Sequence, residues 1–188
     1  MNKIYLFTLG MLCVFFNPNQ AMENNNTNFS PIMNLILNRN LTDEQKEDII
    51  LNMPKDILNQ KEDGGCTPLH IAAAIVNAQP ENHHKVFNSL LKAGADCSLT
   101  DDIGNNPLHF LVEKKIAPKI RNTYTQLINN FLRTSYKQSH TKCLEQKNNE
   151  NKNPYEYCKD EELKHFLTQS HIQDLIKFEQ NDQLLIID

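Results

Sequence analysis

Gly65-Cys66-Thr67-Pro68-Leu69-His70-Ile71-Ala72-Ala73 is answered later in the chain by Gly104-Asn105-Asn106-Pro107-Leu108-His109-Phe110-Leu111-Val112. A third, degenerate copy reads Asn151-Lys152-Asn153-Pro154-Tyr155-Glu156-Tyr157-Cys158-Lys159. Self-similarity at tens of residues marks stacked units, each too small to bury its apolar face alone. Each shared residue also has a local physical reason. Gly65 and Gly104 relieve backbone strain at a turn. Thr67 is placed as a helix N-cap whose hydroxyl can take an orphan N–H. Pro68, Pro107 and Pro154 sit at the first helical position, where a missing N–H costs nothing. Leu69, Ile71 and Ala72 face neighbours, and small alanines let two helices approach closely. Leu90-Leu91-Lys92-Ala93-Gly94-Ala95-Asp96 reads as the end of a second helix, closed by Gly94 as a left-handed cap.

These blocks resemble the ankyrin repeat, with its G-x-T-P-L-H-x-A-A block and a second helix ending L-L-x-x-G-A-D, and in particular the small exported ankyrin-repeat proteins of host-associated bacteria. The resemblance implies an all-α solenoid of helix-turn-helix units joined by short β-hairpin loops, with helical caps. It implies that His70 and His109 hydrogen-bond nearby turn backbone rather than act as catalysts. It places Cys97 and Cys158 at buried positions and Cys66 at a variable, exposed one, which makes Cys66 the thiol most open to reaction.

Thr67 and Asn106 stand 39 positions apart, and Asn106 and Asn153 stand 47 apart, against about 33 in the usual period. The additions fall in Asn77-Ala78-Gln79-Pro80-Glu81-Asn82, around Ile116 to Lys119, and at Thr134 to Thr141. Closing a longer loop costs only about 0.6 kcal/mol per doubling of length, so such insertions are compatible with the repeat.

The expected division is a signal peptide over 1–21, a disordered linker over 22–29 and an N-terminal helical cap over 30–62. The first repeat then covers 63–101, the second with its insertions 102–147, and a degenerate third with a C-terminal cap 148–188. Within the N-terminal cap, Ser30-Pro31 opens a short apolar helix through Leu37 and Thr42 precedes an amphipathic one over Glu44 to Met53. Ile57 to Lys61 mimics the hairpin entry that precedes each block. Two short amphipathic helices, Glu161 to Leu167 and His171 to Phe178, close the other end. Near the start, Lys3 precedes an apolar run from Ile4 to Phe16. As a helix that run reaches about 20 Å, short of the roughly 30 Å hydrocarbon core, and reads as a signal peptide rather than a span. The expected localisation is therefore exported, periplasmic or secreted, with no membrane association after its removal.

A formal charge of −4 and a pI near 6.0 give no attraction to phosphate backbones, so nucleic acid is not an expected partner. No nucleophile–base pair, phosphate loop or paired-carboxylate motif is present, so neither catalysis nor a cofactor is expected. His83-His84 with Glu81 is the nearest approach to a metal site, but adjacent loop histidines rarely converge on one ion. With Cys13 in the leader, Cys66, Cys97, Cys143 and Cys158 remain, an even count that permits disulfides without demanding them.

What remains is an expectation of a monomer that binds another protein. The resemblance places the partner on the hairpin tips and on the exposed side of each first helix. By position these are Asp63, Cys66, Ala74 and Ile75 in the first copy, Asp102, Ile103, Asn105, Glu113 and Lys114 in the second, and Asn149, Glu150 and Lys152 in the third. The leading expectation is an exported scaffold that occupies a partner's surface, a host protein among the candidates. The alternative is a cell-envelope inhibitor or protector of an enzyme or toxin.

Overall fold

The computed structural model describes residues 29–78, 84–139 and 143–169. The regular elements among them are helical, with no strand. Helix α1 is Pro31–Leu37 and α2 is Asp43–Leu51. A single turn, α3, covers Lys55–Leu58. Then come α4 over Pro68–Ala78, α5 over His84–Ala93, α6 over Pro107–Val112 and α7 over Arg121–Ser139. The short α8 is Pro154–Tyr157, and α9 covers residues 161–169. The expected signal peptide, most of the expected linker, Gln79 to His83 and the segment from His171 to Phe178 lie outside the described residues.

Consecutive helices pair as α1 with α2, α4 with α5, and α6 with α7. Side by side, α1, α4, α6 and α8 form an inner layer, while α2, α5 and α7 form an outer one. One apolar cluster runs between the layers from Ile32 through Leu69, Phe87, Leu108 and Phe131 to Leu167. The cluster is continuous because each pair exposes an apolar side that only its neighbours can cover.

The helix ends follow the local chemistry. The Ser30 and Thr42 hydroxyls accept from Met33 N–H and Gln45 N–H, and Gln45 returns its side chain to Thr42 N–H in a capping box. At the end of α5, Gly94 has φ +96°, its N–H donates to Leu91 O and the Ala95 N–H donates to Leu90 O. That pair of bonds is the Schellman closure, which a left-handed glycine makes possible.

Three local expectations are corrected. Ile57 to Lys61 is not a strand-like entry, because α3 coils through Leu58 and only then does the chain extend. Thr134 to Ser139 is not a loop but the last part of α7. No glycine or proline interrupts this stretch, and Gln138 is needed in place: it accepts from Cys97 N–H and donates to Ala95 O, sealing the end of the first copy. Helix α2 is not simply amphipathic. Ile49 and Leu51 are each 43% exposed, whereas Lys46 is 3% exposed because its ammonium donates to Ile36 O, an orphan carbonyl at the end of α1.

The insertion around Ile116 is held by Asp160, which caps α9. Its carboxylate accepts from Ile116 N–H and Leu163 N–H and pairs with Arg121 at 2.9 Å. Burial pushes that carboxyl up, but the Arg121 guanidinium and the two backbone donors outweigh it and hold it down at about 2. Asp160→Ala strands two backbone donors and leaves Arg121 with only Glu162 as an ion-pair partner among the described residues, and should lower unfolding free energy by about 2 kcal/mol. Urea unfolding followed by circular dichroism checks this, and a shift under about 0.5 kcal/mol would contradict it.

Candidate functional site

Ahead of α4, α6 and α8 the chain makes the same tight tip three times. Glu62 N–H donates to Cys66 O, Asp101 N–H to Asn105 O, and Asn148 N–H to Lys152 O. Each tip is closed by a second bond, from Gly65 to Glu62, Gly104 to Asp101 and Asn151 to Asn148. The closing residue is left-handed every time, with φ +72°, +81° and +61°. Glycine takes this conformation freely, and asparagine is the side-chain-bearing residue that tolerates it best. The tips also bond directly to one another: Asp102 N–H donates to Gly64 O at 3.0 Å, and Asn149 N–H to Ile103 O at 2.9 Å.

Behind the tips, each motif histidine ties one copy to the next. His70 Nδ1 accepts from Thr67 N–H at 3.1 Å, so the proton sits on Nε2, which donates to Asn105 O at 3.0 Å. The Thr67 hydroxyl, expected to cap a backbone N–H, instead lies 2.8 Å from His70 Nδ1. His109 repeats the pattern, accepting from Asn106 N–H and reaching Lys152 O. Both rings are fully buried, and all four ring nitrogens are engaged. Neither imidazole is available as a base or a metal ligand. At the equivalent place in α8, Glu156 closes a local capping box with Asn153.

The expected partner residues separate into two groups. Asp63, Asp102 and Lys114 are exposed, and Ile103 is partly exposed between the second and third tips. Cys66 and Asn105, at 1% and 0% exposure, are corrections to the expected surface. The same tip position turns inward in both. The amide of Asn105 donates towards Asp101 and accepts from Asn148 Nδ2 at 2.8 Å, so it cross-links two tips. Glu113 is also nearly covered, at the end of α6. Ile75 is half-buried and faces away from Ile103, lining a small cleft with Ile36, Ala72 and Val86. Ala74 is buried as well, while Asn149, Glu150 and Lys152 are exposed on the third tip.

Two residues on this face, Phe110 and Tyr157, escaped the motif reading, and a third, Ile71, expected to face neighbours, is corrected to partly exposed. Ile71 and Phe110 follow the motif histidine and Tyr157 follows Glu156 at the same position of the third copy, and all three are partly exposed. Phe110 stands edge-on to His70 with centroids 5.6 Å apart, and Tyr157 stands likewise on His109 at 6.0 Å. Alignment of the three blocks carries the signal, since this one variable position is apolar in each.

No disulfide joins Cys66, Cys97, Cys143 and Cys158, and all four are buried. Burial pushes the Cys143 thiol up to about 11 and raises those of Cys97 and Cys158 as well. Iodoacetamide at pH 8 should therefore label these four only as fast as the chain unfolds, because the thiolate is the reacting species. Mass spectrometry of labelled peptides checks this, and Cys66 reacting at the rate of a free thiol in solution would contradict it.

Residues 64–102 match the family model for the ankyrin repeat, a span from the first tip to the second. No curated protein matches the chain. An ankyrin repeat is a protein–protein interaction module, and residues 64–102 are similar to one. Among the described residues no helix is long and apolar enough to cross a membrane.

Proposed function

We propose that the chain is a protein-binding scaffold in which all three copies stack as an ankyrin-type solenoid, with residues 30–62 and the C-terminal helices as its caps. The partner meets the tips and the exposed side of the inner helices. The observation that carries this is the recurrence of one tip, one left-handed closure and one tip-to-tip bond across copies that differ widely in sequence. A rigid row of tips needs no such regularity to fold a single unit, but does need it to present a continuous surface. Asp63, Asp102, Ile103 and Lys114 remain on that surface, joined by Ile71, Phe110 and Tyr157. The export expectation accompanies this proposal and rests on Lys3 and the apolar run from Ile4 to Phe16. A secreted effector acting on a host protein is the role that joins the two.

Immobilised full chain, used to capture partners from a host extract and from the producing cell's envelope, tests the proposal. A partner retained by the native chain and by Ile49→Asp, but lost with the double variant Ile71→Asp/Asp102→Arg, would support it. A partner lost with Ile49→Asp and kept by the double variant would move the interface to the outer layer. Fractionation tests export, and a chain confined to the producing cell's cytosol would overturn that part.

A further inference from the structure

We propose that the inner face takes a basic, extended segment of the partner, with an apolar side chain against Ile71 and Phe110 and lysine or arginine side chains on Asp63 and Asp102. The inference rests on the protein-binding reading above and adds the chemistry of what binds.

The apolar part of the argument is the row itself. Ile71 and Tyr157 are partly exposed and lie outside the core cluster, and Phe110, at the same position of the copy between them, is partly exposed while packing against that cluster. Three partly exposed residues with largely apolar side chains at one repeated position form a row rather than scattered surface residues. An extended chain projects alternate side chains every two residues, a spacing suited to a row of pockets built by repetition.

Charge decides the occupant. Asp63 and Asp102 sit on neighbouring tips whose backbones touch through Asp102 N–H and Gly64 O. Among the described residues neither carboxylate has a hydrogen bond or an ion pair. The basic groups close by are already placed: Lys61 donates to Thr100 O at 2.7 Å, and Lys152 pairs with Glu150 at 3.0 Å. Behind Asp102 lies the buried carboxylate of Asp101, held by the N–H groups of Ile103 and Asn105. The positive charges on this side, Lys114 and Lys115, are exposed beyond the far end of α6. The face therefore runs from acidic tips across an apolar strip to a basic end. A segment with its basic residues towards the tips matches it, and an acidic segment there would meet like charge.

Full-length protein labelled with 15N, titrated with the octapeptide of alternating arginine and leucine, gives the test. Peptides with glutamine or glutamate in place of arginine are the controls. The arginine peptide should shift the amides of Asp63, Gly64, Asp102, Ile103 and Phe110. Its affinity should fall at least fivefold in Asp63→Asn/Asp102→Asn and again in Ile71→Asn, with thermal unfolding unchanged. If the glutamine or glutamate peptide binds the same residues as tightly, the basic partner is overturned while the protein-binding face stands. If the arginine peptide shifts no inner-face amide, or binds the double variant undiminished through other acidic surface, the inference fails. The inner-face placement of the proposed function fails separately, when a captured partner maps to the outer layer.

Discussion

Gly104→Val should destabilise the fold by about 3 kcal/mol, the largest loss expected from a single surface-side substitution in this chain. Gly104 has φ +81°, and a Cβ there would lie 2.8 Å from Asn149 Oδ1, 3.0 Å from Asn149 N and 3.1 Å from Asn148 Cα. The left-handed conformation alone is strained for a β-branched residue. The contact with backbone adds to this, because the third tip must move away. Relief by that movement breaks the bond from Asn149 N–H to Ile103 O. Chemical denaturation of the two proteins provides the check, and a change under about 1 kcal/mol would mean that the tips are not in contact.

Acid should also loosen the fold well before its carboxylates are lost. The neutral His70 ring accepts from Thr67 N–H and donates to Asn105 O, so a second ring proton would point at another N–H. Burial pushes its pKa down from 6.5 to about 4, Lys61 and His109 push the same way, and the Asn105 carbonyl opposes them. Because the folded value is depressed, the unfolded chain takes up the proton first. The stabilisation is thus complete above pH 6.5 and falls as pH drops from there towards 4, by roughly 3 kcal/mol in total. About 2 kcal/mol of it should be gone by pH 5. His109 is shifted in the same direction, again chiefly by burial, and adds to the loss. Urea unfolding at pH 7.5 and pH 5 reads the difference directly. His70→Gln/His109→Gln should be less stable at pH 7.5 and lose much less on acidification. An unchanged pH slope in that variant would contradict the role of the two rings.

The elements that sequence reveals here are those fixed by local chemistry. Pro68 and Pro107 start helices, Gly94 stops one, and Ser30 and Thr42 cap theirs, because each effect acts within a turn of the residue that causes it. The tie made by His70 was legible only through the resemblance, since its acceptor on Asn105 lies 35 residues away. Long-range polar pairing hid the rest. Nothing near Lys46 announces that it will be buried to serve a carbonyl of α1, and Asn105 looks like any surface asparagine until Asp101 and Asn148 close around it. Tip residues are hard to sort for the same reason. Backbone direction within five residues decides that Asp102 points out while Cys66 and Asn105 point in. The strip of Ile71, Phe110 and Tyr157 was readable in principle, but only by comparing copies position by position rather than by judging each residue alone.

Site-specific photo-crosslinking tests the central claim most directly, with a benzophenone side chain placed one position at a time on the full chain. In the presence of its partner, the group at Ile71, Asp102 or Ile103 should give a covalent adduct, and the group at Ile49, Lys85 or Lys137 should not. Adducts confined to the outer-layer positions would contradict the account, because they would show a partner gripping the face that α2, α5 and α7 present rather than the row of tips.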